Sequence, residues 1–423
     1  MTSRQVVITG IGVRAPGGVG VKEFWDLLSS GRTATRRITS FDPSPYRSQI
    51  AAEIDFDPQQ EGFTSEQIAH RDRAVLLAVA CVREAVVNSG LELAGLRPET
   101  VGVSIGSAVG CTTSLDTEYA RVSRGGESWL VDHTLAVEQL FDYFVPTSIP
   151  REVAWEVGAE GPVTLVSTGC TSGLDAVGRG AELIQDGQAD LVLAGATDAP
   201  ISPITVACFD AIKATSPNND DPEHASRPFD RRRDGFVLGE GAAVFILEEK
   251  EAAMRRGARI LAEVAGFATR SNAFHMTGLR PDGREMAAAI DAALGQAHRC
   301  PTDVDYINAH GSGTRQNDRH ETAAFKRSFA GHAHEIPVSS IKSMIGHSLG
   351  AIGSLELAAC VLAMEHGVIP PTANYAEPDP ECDLDYVPNV ARQAPLETVL
   401  SVGSGFGGFQ SAAVLTRPER GRW

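Results

Sequence analysis

The sequence predicts an α/β protein with buried, largely parallel strands and two related halves. Short β-branched runs alternate with helical patterns from the start of the chain, which is typical of that class. Two short patterns also occur twice, because residues 169–173 resemble 346–350 and residues 242–244 resemble 412–414. Two recurrences in the same order indicate a degenerate duplication. We therefore expect an N-terminal half over residues 1–257 and a C-terminal half over residues 258–423.

The first half opens with a predicted strand at residues 6–9, and the loop that follows it looks like a dinucleotide-binding loop. Residues 10–15 fit the Gly-x-Gly-x-x-Ala fingerprint. Pro16 interrupts the helix that this fingerprint must open, and the acidic residue expected about 20 positions further on is missing. We therefore reject a dinucleotide site.

The rest of the first half has further predicted elements. Helices are predicted at 21–29, 65–89 and 248–256, and further strands at 101–106, 163–166, 190–196 and 242–247.

Cys170 lies where the strand at 163–166 passes into a predicted helix. Free backbone N–H groups and the positive end of a helix dipole favour a thiolate at that position, so we expect a lowered pKa and a nucleophilic cysteine. A buried and inert thiol is the alternative, and this stretch alone does not decide between them. The helix is defined by an apolar stripe with a glycine stop, namely Leu174, Val177, Ala181, Ile184 and Gly187.

The second half carries polar residues at predicted strand ends, where α/β sheets bind their ligands. Its strands are predicted at 259–266, 304–309, 336–341 and 399–402. The second of these leads to His310, the third to Lys342, and the fourth to a glycine-rich loop at 404–408. His347 opens a helix that mirrors the helix after Cys170. The loop glycines let backbone N–H groups approach a substrate.

Two motifs in this half suggest other functions, which we reject. Residues 346–350 match the Gly-x-Ser-x-Gly of a hydrolase nucleophile elbow. That fold needs an acid and then a histidine after the serine, whereas the only later histidine, His366, ends the same helix. Residues 403–408 match Gly-x-Gly-x-x-Gly, but only 15 residues follow them, too few for a nucleotide-binding unit.

Composition argues against nucleic acid and membrane as partners. The formal charge of −17 leaves no basic excess to neutralise phosphates, and no apolar run approaches the roughly 18 residues of a membrane span. The seven cysteines are widely spread without a Cys-x-x-Cys pair, which favours a reducing cytoplasm and argues against a zinc site. No signal peptide is visible. We therefore expect a cytoplasmic protein without a bound metal.

A cysteine with two histidines suits carbon–carbon bond formation from thioesters. The cysteine accepts an acyl group as a covalent intermediate. Two imidazoles that donate from Nε2 stabilise the oxyanion of a second thioester as it loses CO₂, and the resulting carbanion attacks the acyl-cysteine. Backbone N–H groups near Cys170 and Phe406 would hold the tetrahedral oxyanion.

On its motifs the chain resembles the β-ketoacyl synthases of the thiolase superfamily. The matching features are Cys170, His310 in His-Gly-Ser-Gly-Thr, Lys342, His347 in Gly-His-Ser-Leu-Gly-Ala and the Gly-Phe-Gly-Gly loop. Residues 167–175, Ser-Thr-Gly-Cys-Thr-Ser-Gly-Leu-Asp, are most similar to the α subunit of bacterial type II aromatic polyketide ketosynthases of the actinorhodin kind. The resemblance implies a thiolase fold, an αβαβα five-layer sandwich of two duplicated halves with the active site between them.

The resemblance also implies residue roles. Lys342 would support the site electrostatically, paired with Glu321. The implied site comprises the nucleophile Cys170, the histidines His310 and His347, Lys342 with the supporting acids Glu321 and Asp318, and the oxyanion or gate residues Cys170, Phe406 and Gly407.

The activity implied by the resemblance is iterative condensation of malonyl units, delivered by an acyl carrier protein, into a poly-β-keto chain. The partner would be a homologous β subunit, the chain-length factor, in which the cysteine is usually glutamine, so Cys170 marks the catalytic member. No cofactor is implied beyond the carrier's phosphopantetheine arm. A homodimeric fatty-acid elongating synthase and a non-catalytic partner subunit are the alternatives, and a degradative thiolase fits less well.

Overall fold

The computed structural model describes residues 4–418. The strands are β1 (Val6–Ala15), β2 (Gly18–Val19), β3 (Arg36–Arg37), β4 (Ile50–Ala52), β5 (Val101–Gly106), β6 (Val163–Val166), β7 (Leu191–Asp198), β8 (Leu238–Gly239), β9 (Gly241–Glu249), β10 (Ala262–Ser271), β11 (Tyr306–Asn308), β12 (Val338–Ser339), β13 (Val368–Ile369), β14 (Arg392–Gln393), β15 (Thr398–Gly405) and β16 (Phe409–Thr416). The helices are α1 (Val21–Ser30), α2 (Ser65–His70), α3 (Arg73–Ser89), α4 (Thr112–Val122), α5 (Leu140–Phe144), α6 (Ser148–Val157), α7 (Ser172–Gln185), α8 (Pro203–Ala211), α9 (Lys250–Arg255), α10 (Arg284–Gln296), α11 (Arg315–Phe329), α12 (Lys342–Ile345) and α13 (Ile352–His366).

The first strand is longer than predicted. β1 continues through Ala15, so residues 10–15 form a strand and not a loop. Gly10 and Gly12 lie against the backbone of α3, where a Cβ would collide with the carbonyls of Ala85 and Cys81. The glycines that look like a dinucleotide fingerprint therefore let a helix pack closely on the strand, which agrees with the rejection of that site.

The single helix predicted at 65–89 is wrong, because two helices occupy this stretch. α2 ends at His70, and Arg71 is extended, with φ −113° and ψ 138°. Asp72 then accepts the N–H of Ala74 at 2.7 Å and caps α3. An aspartate N-cap within an apparently continuous helical pattern is the signal that separates the two helices.

The main sheet has the order β12-β11-β15-β16-β10-β1-β9-β7-β5-β6. The sheet consists of two halves that join through β1 and β10. Counted outward from this junction, the strands of each half follow the same order relative to the chain: β1-β9-β7-β5-β6 in the first half and β10-β16-β15-β11-β12 in the second. In each half the outer three strands are parallel and the inner pairs antiparallel. The prediction of a largely parallel sheet is therefore wrong, because the sheet is mixed. The division at residue 257 stays a prediction.

Five layers stack in the predicted αβαβα order. α3 covers the outer face of the first half-sheet, and α10 with α11 covers the outer face of the second. α7 and α13 fill the space between the half-sheets. They approach closely because Gly173 and Gly353 have no side chains: a Cβ on Gly173 would lie 2.5 Å from the nitrogen of Ser354. This central pair brings the two halves of the site together.

The stretch Leu349–His366, which contains α13, is long and apolar enough by length and composition to cross a membrane. The expectation that no such stretch exists is therefore wrong for residues 4–418. However, 89% of it is buried inside the protein. It packs between α7 and strands of both half-sheets, so its apolar character is explained by its place in the core.

Candidate active site

Predicted residues from separate parts of the chain meet around one cavity of about 520 Å³. Cys170 lies in a 3₁₀ turn, Gly169–Thr171, between β6 and α7. His310 follows β11, His347 follows α12, and Phe406 lies in the turn between β15 and β16. All four line the cavity. Lys342, at the start of α12, is buried and lies directly behind His310.

The cavity also has aromatic walls that sequence patterns did not single out. Phe236 places its ring edge-on to His347, with ring centroids 5.2 Å apart. Phe209, on α8, lies between Phe236 and the ring of Phe406 near the opening. These side chains give an apolar passage that leads to the histidines. Phe236 lies in residues 227–236, a further segment on which the sequence resembles the β-ketoacyl synthases, whereas Phe209 carries no motif signal.

The two histidines present the same kind of donor to the cavity. Their ring centroids are 5.4 Å apart, with an interplanar angle of 82°. The N–H of Leu349 donates to Nδ1 of His347 at 3.2 Å. The ammonium of Lys342, which can only donate, lies 3.4 Å from Nδ1 of His310. Both Nδ1 atoms therefore accept, which assigns the proton of each neutral ring to Nε2.

Burial keeps both rings uncharged at neutral pH. Burial is the main cause that lowers the pKa of His310 and the pKa of His347 well below the ordinary 6.5. The positive charge of Lys342 lowers both pKa values further, and His347 adds to the effect on His310. Each ring therefore keeps an Nε2–H that can donate to an anionic oxygen.

Lys342 pairs with Glu356 of α13 and also donates to the carbonyl of His310. The predicted pairing with Glu321 is therefore wrong. Glu321 instead accepts the N–H of His310 at 2.6 Å and the N–H of Gly311 at 2.8 Å, so it holds the turn that carries the histidine. Burial raises the pKa of Glu356 to about 7 and the pKa of Glu321 to about 8, against the opposing charge of Lys342.

Asp318 supports the same turn from behind. Its carboxylate forms an ion pair with the buried Arg233, with an N–O distance of 3.2 Å. It also accepts the N–H of Phe229 at 2.8 Å and the N–H of Gly313 at 3.3 Å. Asp318 therefore ties the loop after His310 to the segment that includes Phe229.

The predicted lowering of the Cys170 pKa is wrong. Burial raises the pKa of Cys170 to about 11, although the charge of Lys342 and the backbone N–H of Phe406 oppose the rise. The 3₁₀ turn also separates Cys170 from α7, which begins only at Ser172. The free cysteine is therefore a thiol at neutral pH, and it must lose its proton during reaction.

We expect the alkylation of Cys170 by iodoacetamide to accelerate about tenfold per pH unit between about pH 7 and pH 9. Only the thiolate reacts, and a thiol with a pKa near 11 is far from half ionised over that range. Timed alkylation followed by peptide mass spectrometry measures the rate. The urea-unfolded chain is the control, because an ordinary thiol with a pKa of about 8.5 approaches a plateau. A plateau below pH 8 in the folded protein would contradict the assignment.

The Phe406 turn faces the cysteine through its backbone. Its N–H is directed at the Cys170 sulfur, and a Cβ on Gly169 would lie 3.2 Å from its carbonyl oxygen. Gly407 has φ +94° and donates its N–H to the carbonyl of Met276 at 2.6 Å. Phe406 thus presents its backbone N–H to the cysteine, while Gly407 shapes the turn and joins it to the neighbouring loop.

Asp175 holds the cysteine turn from the first turns of α7, a role that sequence reasoning missed. Its carboxylate accepts the hydroxyls of Thr168 at 2.5 Å and Thr171 at 2.9 Å, the residues that flank the Gly169-Cys170 pair. It also accepts the hydroxyl of Ser411 at 2.5 Å. The spacing of two threonines and an aspartate around the cysteine was the available signal.

Within residues 4–418 no group of three or more His, Cys, Asp or Glu side chains is placed to hold a metal ion.

Two descriptions of known families match the sequence along most of its length. The β-ketoacyl synthase N-terminal domain matches residues 3–253, and the β-ketoacyl synthase C-terminal domain matches residues 261–376. The chain belongs to the β-ketoacyl synthase family. The family resemblance of the motifs is therefore confirmed, and this β-ketoacyl synthase is an acyltransferase.

Relatives narrow the position of this β-ketoacyl synthase within the family. It is 77% identical over 419 residues to the tetracenomycin polyketide synthase ketoacyl synthase alpha subunit of Streptomyces glaucescens, covering 99% of this chain and 98% of the relative. A type II polyketide synthase acyl-carrier protein in complex with its ketosynthase bound to the hexaketide gives a TM-score of 0.92 at 37% identity, with 99% and 100% coverage. The ishigamide ketosynthase/chain length factor gives 0.91 at 34% identity, with the same coverage. The thiolase fold and the similarity to type II ketosynthase α subunits are confirmed.

Proposed function

We propose that this chain is the catalytic α subunit of a type II polyketide synthase and builds a poly-β-keto chain by decarboxylative condensation of malonyl units. The observation that carries the proposal is that Cys170 opens onto the same cavity as two uncharged histidines, His310 and His347, whose Nε2–H groups are available. A nucleophile for one thioester and two donors for the oxyanion of another are what this reaction requires.

In the first step, Cys170 Sγ attacks the carbonyl carbon of an acyl thioester held on the acyl carrier protein. The C–S bond to the carrier's pantetheine breaks, its sulfur takes the cysteine proton, and the acyl group stays on Cys170. The N–H of Phe406 stabilises the tetrahedral oxyanion. Because the raised pKa keeps Cys170 as a thiol, proton transfer is part of this step.

In the second step, a malonyl thioester places its carbonyl oxygen against the Nε2–H groups of His310 and His347. The bond to the carboxylate breaks, CO₂ leaves, and the electron pair enters the thioester enolate, whose oxygen both histidines stabilise. The enolate carbon attacks the acyl carbon on Cys170, and the C–S bond breaks. The lengthened chain remains on the carrier, and the cysteine thiolate takes a proton from solvent, which replaces the proton that left with the thiol of the first carrier.

Lys342 tunes these groups from behind the cavity wall. Its charge helps to lower the pKa of both histidines, which keeps them neutral donors, and it opposes the burial that raises the pKa of Cys170. Glu356 balances the lysine charge. In this proposal no resident cofactor takes part, because the phosphopantetheine arm of the carrier delivers both thioesters.

We propose a homologous β subunit, the chain-length factor, as the partner, by analogy with the ishigamide ketosynthase/chain length factor. β6, which leads directly to Cys170, is an edge strand of the main sheet and is poorly buried. Unpaired edge strands are stabilised by pairing or by cover. Large hydrophobic side chains are exposed on the segment before α6, on α6 and on β6: Trp129, Leu130, Phe141, Phe144, Trp155 and Val163. Such an apolar surface fits an extensive subunit interface.

Carrier docking has a candidate basic pair despite the net charge. Lys213 and Arg315 are exposed, line the cavity, and form no ion pair with another residue of the described 4–418 range. A carrier phosphate and acidic carrier surface would be attracted to them.

We expect the double variant K213E/R315E to raise the KM for malonyl-carrier about tenfold and to leave kcat within about twofold, because the change acts on encounter and not on chemistry. Steady-state kinetics at low and high salt measures it, and the difference should shrink with salt. R32E, which reverses an exposed base outside the cavity, is the matched control. An unchanged KM would show that Lys213 and Arg315 do not contribute to carrier docking.

The rival functions differ in assembly and labelling. A fatty-acid elongating synthase would be active as a homodimer, and a non-catalytic partner would acquire no acyl group on Cys170. To distinguish these two functions from the proposed one, the chain is purified alone and with the homologous subunit. Each preparation is then incubated with acyl-carrier and analysed by mass spectrometry. We expect activity and Cys170 acylation only in the heterodimer, and we propose the cytoplasm as its location.

A further inference from the structure

Asp198, the last residue of β7, is a fully buried carboxylate that connects the two halves of the chain. From the first half it accepts the hydroxyl of Ser107 at 2.6 Å and the N–H groups of Ala108 at 2.9 Å and Val109 at 3.3 Å. From the second half it accepts the N–H of Gly350 at 2.7 Å. All these bonds come from neutral donors, so the carboxylate organises backbone and does not balance a cation.

The residue it holds in the second half belongs to the turn that orients His347. Leu349 donates its N–H to Nδ1 of His347 at 3.2 Å. Leu349 itself has φ +50°, a left-handed conformation that is rare for a bulky residue and persists only when neighbours hold it. Gly350 follows immediately, and its bond to Asp198 anchors the turn on that side.

Packing leaves this turn little freedom to move. A Cβ on Gly350 would lie 2.5 Å from the nitrogen of Ala108 and 2.6 Å from the carboxylate of Asp198. The turn therefore rests directly on the end of β7 and on the loop after β5. A shift of this contact would be passed to the Leu349 N–H and from there to the imidazole.

We propose that Asp198 is a positioning residue for decarboxylation: by holding the Gly350 N–H it fixes the strained turn whose Leu349 N–H keeps His347 an Nε2–H donor. The inference rests on the proposed function and assigns Asp198 no contact with reacting atoms. It also predicts selectivity, because the Cys170 turn is held by Asp175 and not by Asp198. The negative charge of Asp198 raises the pKa of Cys170, so its removal gives no reason for slower acylation.

The test separates the two half-reactions in the heterodimer. For D198N we expect CO₂ release from malonyl-carrier to fall about 10- to 100-fold, since a displacement of about 1 Å in a catalytic group has effects of that size. Acylation of Cys170 by acetyl-carrier, followed by intact mass, should stay within about twofold of wild type. The matched control is E248Q, another buried carboxylate change, which lies opposite Leu191 at the far end of β7. It should leave the ratio of the two rates unchanged.

If D198N does not fold, S107A gives the same comparison, because it removes one of the four hydrogen bonds and keeps the carboxylate. We expect it to slow CO₂ release about two- to fivefold with unchanged acylation. An equal loss of both half-reactions, or undiminished CO₂ release in the folded variants, would overturn the positioning role while the proposed function stands. A wild-type heterodimer that neither acylates nor decarboxylates would overturn the proposed function itself.

Discussion

Replacing Cys170 with alanine is expected to abolish the acyl-enzyme adduct and to lower condensation by at least about a thousandfold, because no other group can carry the chain between the two steps. The cavity holds one cysteine among its lining residues within the described 4–418 range. The half-buried thiol lies against the N–H of Phe406, and α7 and α13 pack beneath its turn.

Intact mass after incubation with acyl-carrier measures the adduct, and product formation from malonyl-carrier measures condensation. C300A is the control, because Cys300 is an exposed thiol outside the cavity and its loss should change neither reading. Retention of an acyl adduct in C170A, with the label mapped to another residue, would show that the nucleophile is elsewhere.

Replacing either His310 or His347 with alanine is expected to slow CO₂ release from malonyl-carrier about 100- to 1000-fold, the usual effect of removing one donor from a developing oxyanion. Each ring supplies one Nε2–H to the same small space, with ring centroids 5.4 Å apart. The two losses should be less than additive in the double variant, since both donors serve one oxygen. Acylation of Cys170 by acetyl-carrier should persist, because in the proposed mechanism the N–H of Phe406, and not a histidine, stabilises the oxyanion of that step.

Replacing His347 with asparagine tests whether the donated N–H is what matters. H347N keeps an N–H donor and should therefore release CO₂ faster than H347A, which has none. H332A provides the control, because His332 lies near the surface beside Glu335 and away from the cavity. Decarboxylation at the wild-type rate in H310A or H347A would exclude that ring from the reaction.

The parts of the fold that follow from periodicity were predictable, and those set by tertiary packing were not. Recurrence of a short pattern around Cys170 and His347 indicated two halves, and the mirrored strand order has that duplication. The length of β1 was missed because Gly10 and Gly12 resemble loop residues until α3 is known to pack on them. The antiparallel inner strands were missed because apolar runs do not encode strand direction.

The candidate site was likewise predictable where motifs mark it and not where tertiary packing sets it. Motifs indicated Cys170, His310 and His347, since each lies directly after a recognisable strand or helix end. The pairing of Lys342 with Glu321 was implied by the family resemblance alone, whereas its partner in the structure is Glu356, which lies on α13 in the central layer. The thiol pKa was predicted from a helix terminus alone, and burial outweighs that effect. Asp198 carries no motif, because its role exists only where the two halves touch.

Iterative condensation is tested by supplying malonyl-carrier alone to the chain purified with its homologous subunit. Mass spectrometry of the carrier and of the Cys170 peptide then identifies the thioesters that form. We expect thioesters that lengthen by repeated, unreduced ketide units, present on Cys170 and absent when Cys170 is alanine. A stable homodimer of this chain that extends saturated acyl groups by single condensations, with no multi-unit product in the presence of the homologous subunit, would contradict it.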